Sequence, residues 1–224
     1  ELEDVLGFYD DLNIEFFRLP KNIGLGRALN VGLKELASRF DYLIRFDTDD
    51  INLPNRFEVL INFFERQPCD LVSSHMIEID AEGIPCSKRR VPLTYKKILR
   101  QLTYRSAFNH PASAFRIQAC SNVGGYKHMP FLEDWYLWTR MSHKGYVLRN
   151  VDEYLVDYRV TNDTIKRRYG LKYIKCEINF FHARAREGLV PLIPNYGALV
   201  LRIIIKLFGF FVYKKLFKLT RRIF

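Results

Sequence analysis

The sequence predicts an α/β fold with a doubly wound, mostly parallel sheet that is flanked by helices. Short apolar runs alternate with amphipathic segments over residues 10–80, as expected for strands joined by crossover helices. One run, residues 42–46, ends in the carboxylate cluster Asp47, Asp49 and Asp50. Open sheets of this class bind ligands at the carboxyl ends of their strands. A chain of 224 residues with 48% hydrophobic content can bury one substantial core.

Hydrophobic spacing and turn residues place the individual elements. A strand is predicted at residues 14–18, a helix near 27–40, a strand at 42–46 and a helix that begins near Pro54, since proline suits the first helical turn. The other predicted strands lie at residues 70–79, 112–116, 146–151 and 154–160. Two more helices are predicted at residues 133–143 and 171–186.

Charge and cysteine usage exclude several classes of function. The four cysteines form no Cys-x-x-Cys pair, and the five histidines show no ligand spacing, which disfavours zinc and thioredoxin-like sites. Scattered single cysteines are typical of a reducing compartment. The net charge is +10, yet no acidic residue follows Glu187. The basic end of the chain is rich in Leu, Ile and Phe, which indicates an anionic membrane surface rather than nucleic acid.

The carboxylate cluster after the 42–46 strand has two interpretations. Carboxylates gathered at a strand end repel one another unless a cation lies between them, and Mg²⁺ takes oxygen ligands that it often shares with substrate phosphates. This interpretation predicts a metal–diphosphate site. The alternative is a solvated turn, because Asp is common in turns and at helix N-termini.

Five short motifs occur in a fixed order along residues 1–165. They are NIGLGRALN at 22–30, RFDTDDINLPNR at 45–56, NHP at 109–111, GGY at 124–126 and EDW at 133–135. In this combination the chain resembles the bacterial family 2 glycosyltransferases with the GT-A fold, especially those that build O-antigen and exopolysaccharide. The resemblance implies transfer of a sugar from a nucleotide diphosphate sugar, with inversion, to a glycan or polyprenyl-diphosphate-linked acceptor.

The resemblance also implies roles for the acidic residues. Asp49 is expected to ligate Mg²⁺ or Mn²⁺, and Asp47 to contact the ribose, the metal or a metal-bound water. Asp134 is the expected catalytic base, with Glu133 beside it. An inverting displacement needs one base to take the acceptor proton, and a cation offsets the charge of the leaving diphosphate. The alternative for Glu133 and Asp134 is a helix start, where acids interact well with the macrodipole.

The resemblance also suggests roles for Asn22, Gly24 and Arg45 in nucleotide-sugar binding. Asn22 and Gly24 are expected to shape a loop against the nucleotide, and the alternative is a turn before a helix. Arg45 either neutralises the carboxylates or touches the donor, with a surface position at a strand end as the alternative. Arg159 and the basic run at 164–168 resemble a family segment that closes over the diphosphate, although a solvated basic loop is also consistent with them.

The chain departs from the family at its start. Family members open with an apolar strand, a polar loop and a second strand, and none of these is found here, so an N-terminally incomplete domain is expected at residues 1–165. A helical extension is expected at 166–195 and a basic amphipathic membrane-associating tail at 196–224. A second hypothesis is therefore a truncated, inactive sugar-binding or inert domain. A third, a nucleotidyltransferase, is disfavoured by the GGY and EDW motifs.

The predicted tail suits a helix that lies in a membrane interface. Arg202 and Lys206 interrupt its apolar run four residues apart, on one helical face, and charges near the centre of a span are costly. The residues expected to face the acyl chains are Leu199, Ile203, Leu207 and Phe210. The expected location is peripheral, at the cytoplasmic face of the bacterial inner membrane. The alternative is a C-terminal helix packed on the domain.

Overall fold

The computed structural model describes residues 13–222 as a mixed α/β structure. The helices are α1 (Leu25–Leu36), α2 (Arg56–Arg66), α3 (Tyr95–Tyr104), α4 (Ile117–Asn122), α5 (Glu133–His143), α6 (Asn162–Lys166), α7 (Leu171–Arg186), α8 (Leu192–Leu207) and α9 (Phe210–Arg222), with a 3₁₀ turn at His110–Ala112. The strands are β1 (Tyr42–Ile44), β2 (Ile51–Asn52), β3 (Leu71–Ile79), β4 (Pro85–Arg89), β5 (Ala114–Arg116) and β6 (Leu148–Arg159).

The sheet is built around β3, which is buried along nearly its whole length. Its order is β1-β5-β3-β6-β2, and β4 pairs with the second half of β3. Only the β3–β6 pair is parallel among the described strands. Because β5 lies antiparallel between β1 and β3, the strands β1, β3 and β6 run in one direction and the other three run in the opposite direction.

The α/β class is therefore as predicted, but the sheet is mixed rather than mostly parallel. A helix connects β1 to β3, as the alternation of elements indicates. β5 instead follows a 3₁₀ turn and enters the sheet antiparallel, and β4 forms a hairpin with β3. Gly83 allows that hairpin because its φ is 88°, in the region that other residues rarely adopt.

The main core packs α5 between the sheet and α7. On the sheet side, Trp138 meets Phe115 with 5.7 Å between ring centroids. On the other side, Trp135 meets Phe180 at 4.6 Å. Buried aromatic residues on both faces fix the position of α5 and hence of its first residue, Glu133. This helix and α7 have the bounds that the sequence predicts.

Two predicted strand regions differ from the structure. Residues 14–18 have no strand assignment, and they pair with none of the described strands. The predicted strands at 146–151 and 154–160 form the single long strand β6, which pairs with β3 through a register shift near His75. The shift lets β6 continue through polar residues 152 and 153 where the sequence indicates a break.

The C-terminal region corrects the predicted orientation of the tail. Glu177 of α7 is fully buried and accepts from Arg202 Nε at 2.6 Å, and its other oxygen lies 2.9 Å from Lys206 Nζ. Arg202 and Lys206 therefore point inward, so the helical face that bears them lies against the protein. Of the four residues predicted to face lipid, Leu199 and Ile203 pack on the core and Phe210 packs on the Tyr169 ring, whereas Leu207 is exposed.

The tail is two helices, because Gly209 with φ 90° separates α8 from α9. Within residues 13–222, no helix combines the length and apolar character that a membrane span requires. The side chains of Lys218, Arg221 and Arg222 lie outside the described part of the chain.

Candidate functional site

The acidic loop begins where β1 leaves the sheet. The Arg45 N–H donates to the Ser113 carbonyl at 2.8 Å, which extends the pairing of β1 with β5 by one residue. The Asp50 N–H then donates to the Asp47 carbonyl at 3.2 Å and closes a turn. The Arg45 guanidinium pairs with the Asp47 carboxylate. This contact supports the interpretation that Arg45 neutralises the carboxylates, and the Asp49 side chain is left exposed.

Asp50 points back into the protein. Its Oδ1 accepts the Arg159 N–H at 2.9 Å, and its buried Oδ2 has no hydrogen-bond partner among the described residues. Burial, with the charges of Asp47 and Asp49, raises the pKa of Asp50 to about 7, although the Arg159 N–H opposes the shift. Asp50 thus anchors the loop from behind.

Arg159, at the end of β6, holds the same loop from the side. Its Nε donates to the Asp49 carbonyl at 3.0 Å, and its Nη1 donates to the carbonyls of Asp80 and Ala81 at 2.9 and 2.7 Å. The guanidinium therefore joins the acidic loop to the β3–β4 turn. The sequence suggested two alternatives, a segment that closes over the diphosphate or a solvated basic loop. The contacts of Arg159 with three carbonyls match neither of them.

Arg56 is a positioning residue that the sequence analysis did not identify. Its fully buried guanidinium donates to the carbonyls of Arg45 and Pro111, the latter at 2.8 Å, and to the Asn52 side chain. Burial lowers its pKa to about 10, so it stays charged at neutral pH. The spacing of Arg56 in the sequence could have indicated its burial, because Arg56 lies on the same buried face of α2 as Leu60 and Phe64.

The 109–111 motif is embedded in the core. The Asn109 Nδ2 donates to the Ser74 carbonyl at 2.8 Å and so ties the motif to β3. The His110 Nε2 lies 3.0 Å from the Tyr126 hydroxyl. Burial lowers the pKa of His110 to about 3, so the ring is neutral.

Asn30 connects the 22–30 motif to the 124–126 motif. Its Nδ2 donates to the Tyr126 carbonyl at 2.7 Å, and its Oδ1 accepts the Tyr126 N–H at 2.8 Å. Gly26 lets α1 approach this segment closely, since a Cβ atom there would lie 3.4 Å from the Tyr126 Cβ and 3.5 Å from the Glu133 Cβ. Direct contacts therefore join four of the motifs, through Asn30, Tyr126, His110 and Arg56, and the close approach at Gly26 brings the first motif next to Glu133 of the fifth.

Tyr126 is close enough to both acidic segments to sense their charges. Its hydroxyl is buried, which raises its pKa well above the ordinary value, and the charges of Arg45, Asp134 and Glu133 all act on it. Arg45 of the acidic loop and the first turn of α5 are therefore both within electrostatic range of one aromatic side chain, although they are far apart in sequence.

Glu133 and Asp134 occupy the first turn of α5. Glu133 is 9% exposed, and its buried Oε2 has no hydrogen-bond partner among the described residues. Burial, with the charge of Asp134, raises the pKa of Glu133 to about 7. Burial also raises the pKa of the half-buried Asp134, although the Trp135 N–H and the charges of Arg168 and Arg89 oppose the shift. Both carboxyl groups are therefore better proton acceptors than ordinary surface acids.

The Asn22–Gly24 loop has the geometry of a turn before a helix. Asn22 Oδ1 accepts the Gly24 N–H at 2.9 Å, and Gly24 adopts a φ of 85°. The loop borders an open cleft of about 490 Å³ that is lined by Phe17, Leu19, Lys21, Asn22, Ile23, Gly24, Leu25 and Ala28. Asp47, Asp49 and Asp134 are not among the lining residues, so this cleft is separate from the acidic loop.

The acidic loop fits a divalent cation of the kind that is shared with phosphates. Within residues 13–222, no group of three or more His, Cys, Asp or Glu side chains converges in the manner of a complete protein cage. Mg²⁺ ordinarily binds through one or two carboxylates together with substrate phosphates. Asp49, which is exposed, and Asp47, whose side chain is 34% exposed, supply a donor set of this type.

Comparison with known proteins agrees with the arrangement of motifs. Residues 1–123 match the model of glycosyl transferase family 2. An uncharacterized glycosyltransferase of Haemophilus influenzae is 33% identical over 216 residues, which cover 96% of this chain and 79% of the relative. A UDP-Gal:alpha-D-GlcNAc-diphosphoundecaprenol beta-1,3-galactosyltransferase of Escherichia coli is 36% identical over 214 residues, covering 92% and 76%.

The fold is also similar to that of solved glycosyltransferases. The mannosyltransferase PcManGT from Pyrobaculum calidifontis, determined with GDP-Man and Mn²⁺, superposes with a TM-score of 0.60 at 14% identity. The match covers 88% of this chain and 54% of that structure, so the chain spans about half its length. The expected GT-A-like fold is confirmed. From the family match and these relatives, the chain belongs to glycosyl transferase family 2.

Proposed function

We propose that this protein is an inverting glycosyltransferase that moves a sugar from a nucleotide diphosphate sugar to a glycan or lipid-linked acceptor in cell-surface polysaccharide synthesis. The observation that carries the proposal is the network of contacts among the motifs. Its residue Tyr126 senses the charges of Arg45, in the acidic loop, and of Glu133 and Asp134, at the start of α5. A donor-binding group and a base that lie in separate motifs must be brought to one place, and this proximity supports such an arrangement.

The donor side of the site is the acidic loop. We infer that Asp49, with Asp47, holds Mg²⁺ or Mn²⁺, which supplies charge stabilisation for the departing nucleoside diphosphate when bound. The Mn²⁺ found with PcManGT supports this assignment. Arg45 offsets part of the carboxylate charge in the absence of donor, and Arg56 and Arg159 hold the loop backbone in place.

The acceptor side is Asp134. Its carboxylate takes the proton of the acceptor hydroxyl as the oxygen forms a bond to the anomeric carbon and the bond to the diphosphate breaks. A pKa raised by burial makes Asp134 a stronger base than a surface carboxylate. Glu133, whose pKa is raised to about 7, is partly protonated at neutral pH, which reduces its repulsion of the Asp134 carboxylate. One base suffices, because inversion needs one displacement.

The acceptor is proposed to be lipid-linked. The Escherichia coli relative acts, by its name, on a sugar attached to diphosphoundecaprenol. The C-terminal region of this chain is basic and has no acidic residue after Glu187, which suits an anionic membrane surface. Peripheral attachment at the cytoplasmic face of a bacterial inner membrane would confine enzyme and acceptor to one surface.

The proposal is tested by a transfer assay with matched variants. The 224-residue chain is incubated with Mn²⁺, UDP-, GDP- or dTDP-sugars and a short-chain prenyl diphosphate sugar. Asp134→Asn keeps the size of the side chain but removes the proton acceptor, so turnover should fall by about 10²–10⁴ with little change in donor affinity. Asp163→Asn, at an exposed acid in α6, is the control and should leave turnover unchanged.

Product stereochemistry provides the second readout, since NMR should show an inverted anomeric configuration. Near-normal turnover by the Asp134→Asn protein would reassign Asp134 to a helix-start role. Absence of transfer from every donor by the wild-type chain would refute activity of this polypeptide.

A further inference from the structure

The outward surface of α8 and α9 is apolar. We call it the α8–α9 stripe and define it by eight residues: Ile193, Val200, Leu201, Ile204, Leu207, Phe208, Phe211 and Val212. All eight are exposed, including Ile193 at 89%, Phe211 at 81%, Leu207 at 71% and Phe208 at 67%. Residues 193, 200, 204 and 208 lie on one helical face by their spacing. Soluble monomers seldom expose a continuous apolar surface without a function for it.

The inward surface of α8 carries polar side chains beside the apolar Ala198 and Leu199. Asn195 is fully buried, its Oδ1 accepts from Arg184 Nη2 at 2.6 Å, and its Nδ2 donates to the Phe181 carbonyl at 3.0 Å. About two and three turns further along the same face, Arg202 and Lys206 bind the buried carboxylate of Glu177. The spacing of residues 195, 202 and 206 keeps all three on the inner face.

These polar contacts fix the rotation of α8 about its axis. Turning the helix to bury the stripe would remove Asn195, Arg202 and Lys206 from their partners and leave the fully buried Glu177 without a counter-charge. Removing one partner of a buried ion pair costs about 3–5 kcal/mol, and turning the helix would also expose Ala198 and Leu199, which are now buried in the core. The exposed stripe is therefore a stable feature of the fold.

The charge around the stripe favours an anionic occupant. Lys214 and Lys215 follow it in α9, and the sequence from residue 188 onward contains no Asp or Glu. A second copy of the chain would bring the same positive charge against itself. An anionic bilayer supplies both an apolar layer for the stripe and negative headgroups for the lysines.

We propose that the α8–α9 stripe is the surface by which this protein docks on an anionic lipid bilayer, with Phe208 and Phe211 inserted beneath the headgroups and Lys214 and Lys215 beside them. The inference deepens the membrane part of the proposed function, and it rests on that function only for the choice of lipid as occupant. It assigns a different helical face from the one that the sequence pattern predicts, and Leu207 is the residue that the two faces share.

The test measures binding of the 224-residue chain to vesicles by sedimentation. Vesicles of phosphatidylcholine alone are compared with vesicles that also contain phosphatidylglycerol. Phe208→Ser/Phe211→Ser should lower the partition coefficient about tenfold or more, because each buried aromatic side chain contributes strongly. Phe40→Ser/Phe57→Ser is the matched control, since both side chains are 49% exposed and lie outside the stripe. High salt should weaken binding of the wild-type chain.

Two further measurements separate the outcomes. Far-UV circular dichroism confirms folding of both double variants, and transfer to the short-chain acceptor, which needs no membrane, reports the catalytic site. Binding that is absent in the wild-type chain, or equal in Phe208→Ser/Phe211→Ser, overturns the inference even if transfer proceeds. A wild-type dimer that Phe208→Ser/Phe211→Ser converts to monomer, without vesicle binding, also overturns it. Vesicle binding without transfer would sustain the inference and refute the proposed function.

Discussion

Glu133 provides a quantitative test of the buried acidic pair at the start of α5. Its pKa is raised from an ordinary value of 4.5 to about 7, first by burial and then by the charge of Asp134. Between these two pH values the folded protein keeps a proton at Glu133 that the unfolded chain has lost. The stabilising contribution of the protonated group is therefore complete below the unfolded pKa and is lost as the pH rises through the folded pKa.

The magnitude follows from the same two values. The whole pH window corresponds to about 3 kcal/mol of unfolding free energy, and the part between pH 5.5 and pH 8 to about 2 kcal/mol. Glu133→Gln removes the titration but keeps the shape of the side chain. The stability of this variant relative to wild type should therefore improve by about 2 kcal/mol when the pH is raised from 5.5 to 8.

Urea unfolding at both pH values, followed by circular dichroism and tryptophan fluorescence, measures this difference. Comparing the two proteins at the same pH cancels the titration of all other groups to first order. Glu35→Gln, which removes an exposed carboxylate from α1, is the matched control for the loss of one acid. A Glu133→Gln difference that is the same at both pH values would refute the burial argument for the acidic pair.

Three further predictions concern the acidic loop and the C-terminal ion pairs. Asp49→Asn should abolish transfer with the fold retained, and turnover that persists in excess EDTA would contradict a metal role for Asp49. Arg56→Met leaves two carbonyls without their donor and should lower the unfolding free energy by about 3 kcal/mol, whereas Arg66→Met, at an exposed position of the same helix, should have little effect. Glu177→Gln should lower the free energy of unfolding by about 3 kcal/mol or more, because Arg202 and Lys206 lose their counter-charge. A decrease of less than about 1 kcal/mol in urea titrations would show that water compensates for the loss of the ion pairs.

The sequence predicts the elements whose pattern is contained in one segment. The bounds of α5 and α7 agree because their apolar residues repeat with helical spacing and pack on both sides. The order of the motifs also predicts the fold, because residues of one motif contact residues of another in the structure. The direction of the strands was harder to predict from the sequence. β5 enters the sheet through a 3₁₀ turn at residues 110–112, and the sequence pattern of these three residues does not indicate that turn.

Features that depend on a partner elsewhere in the chain could not be read from local pattern. The spacing of Arg202 and Lys206 indicates a charged face but not the direction in which that face points. The direction is set by Glu177, a single acid on α7, and no periodicity within the tail reports it. The role of Arg159 was likewise predicted from the residues next to it in the sequence, whereas its guanidinium contacts the carbonyls of two distant loops.

The three carboxylates of the acidic loop face three different environments, and this explains how a cluster of like charges is tolerated. Asp50 points inward with a pKa raised to about 7, so it is partly protonated at neutral pH. Asp47 is paired with Arg45, and Asp49 points to solvent. The guanidinium groups of Arg56 and Arg159 bind backbone carbonyls of the loop, while the Arg159 backbone N–H binds the Asp50 carboxylate. These contacts hold the inner side of the loop in place. Among the described residues the Asp49 carboxylate has no partner, and it lies on the outer side of the loop, where a cation shared with a diphosphate would have to bind.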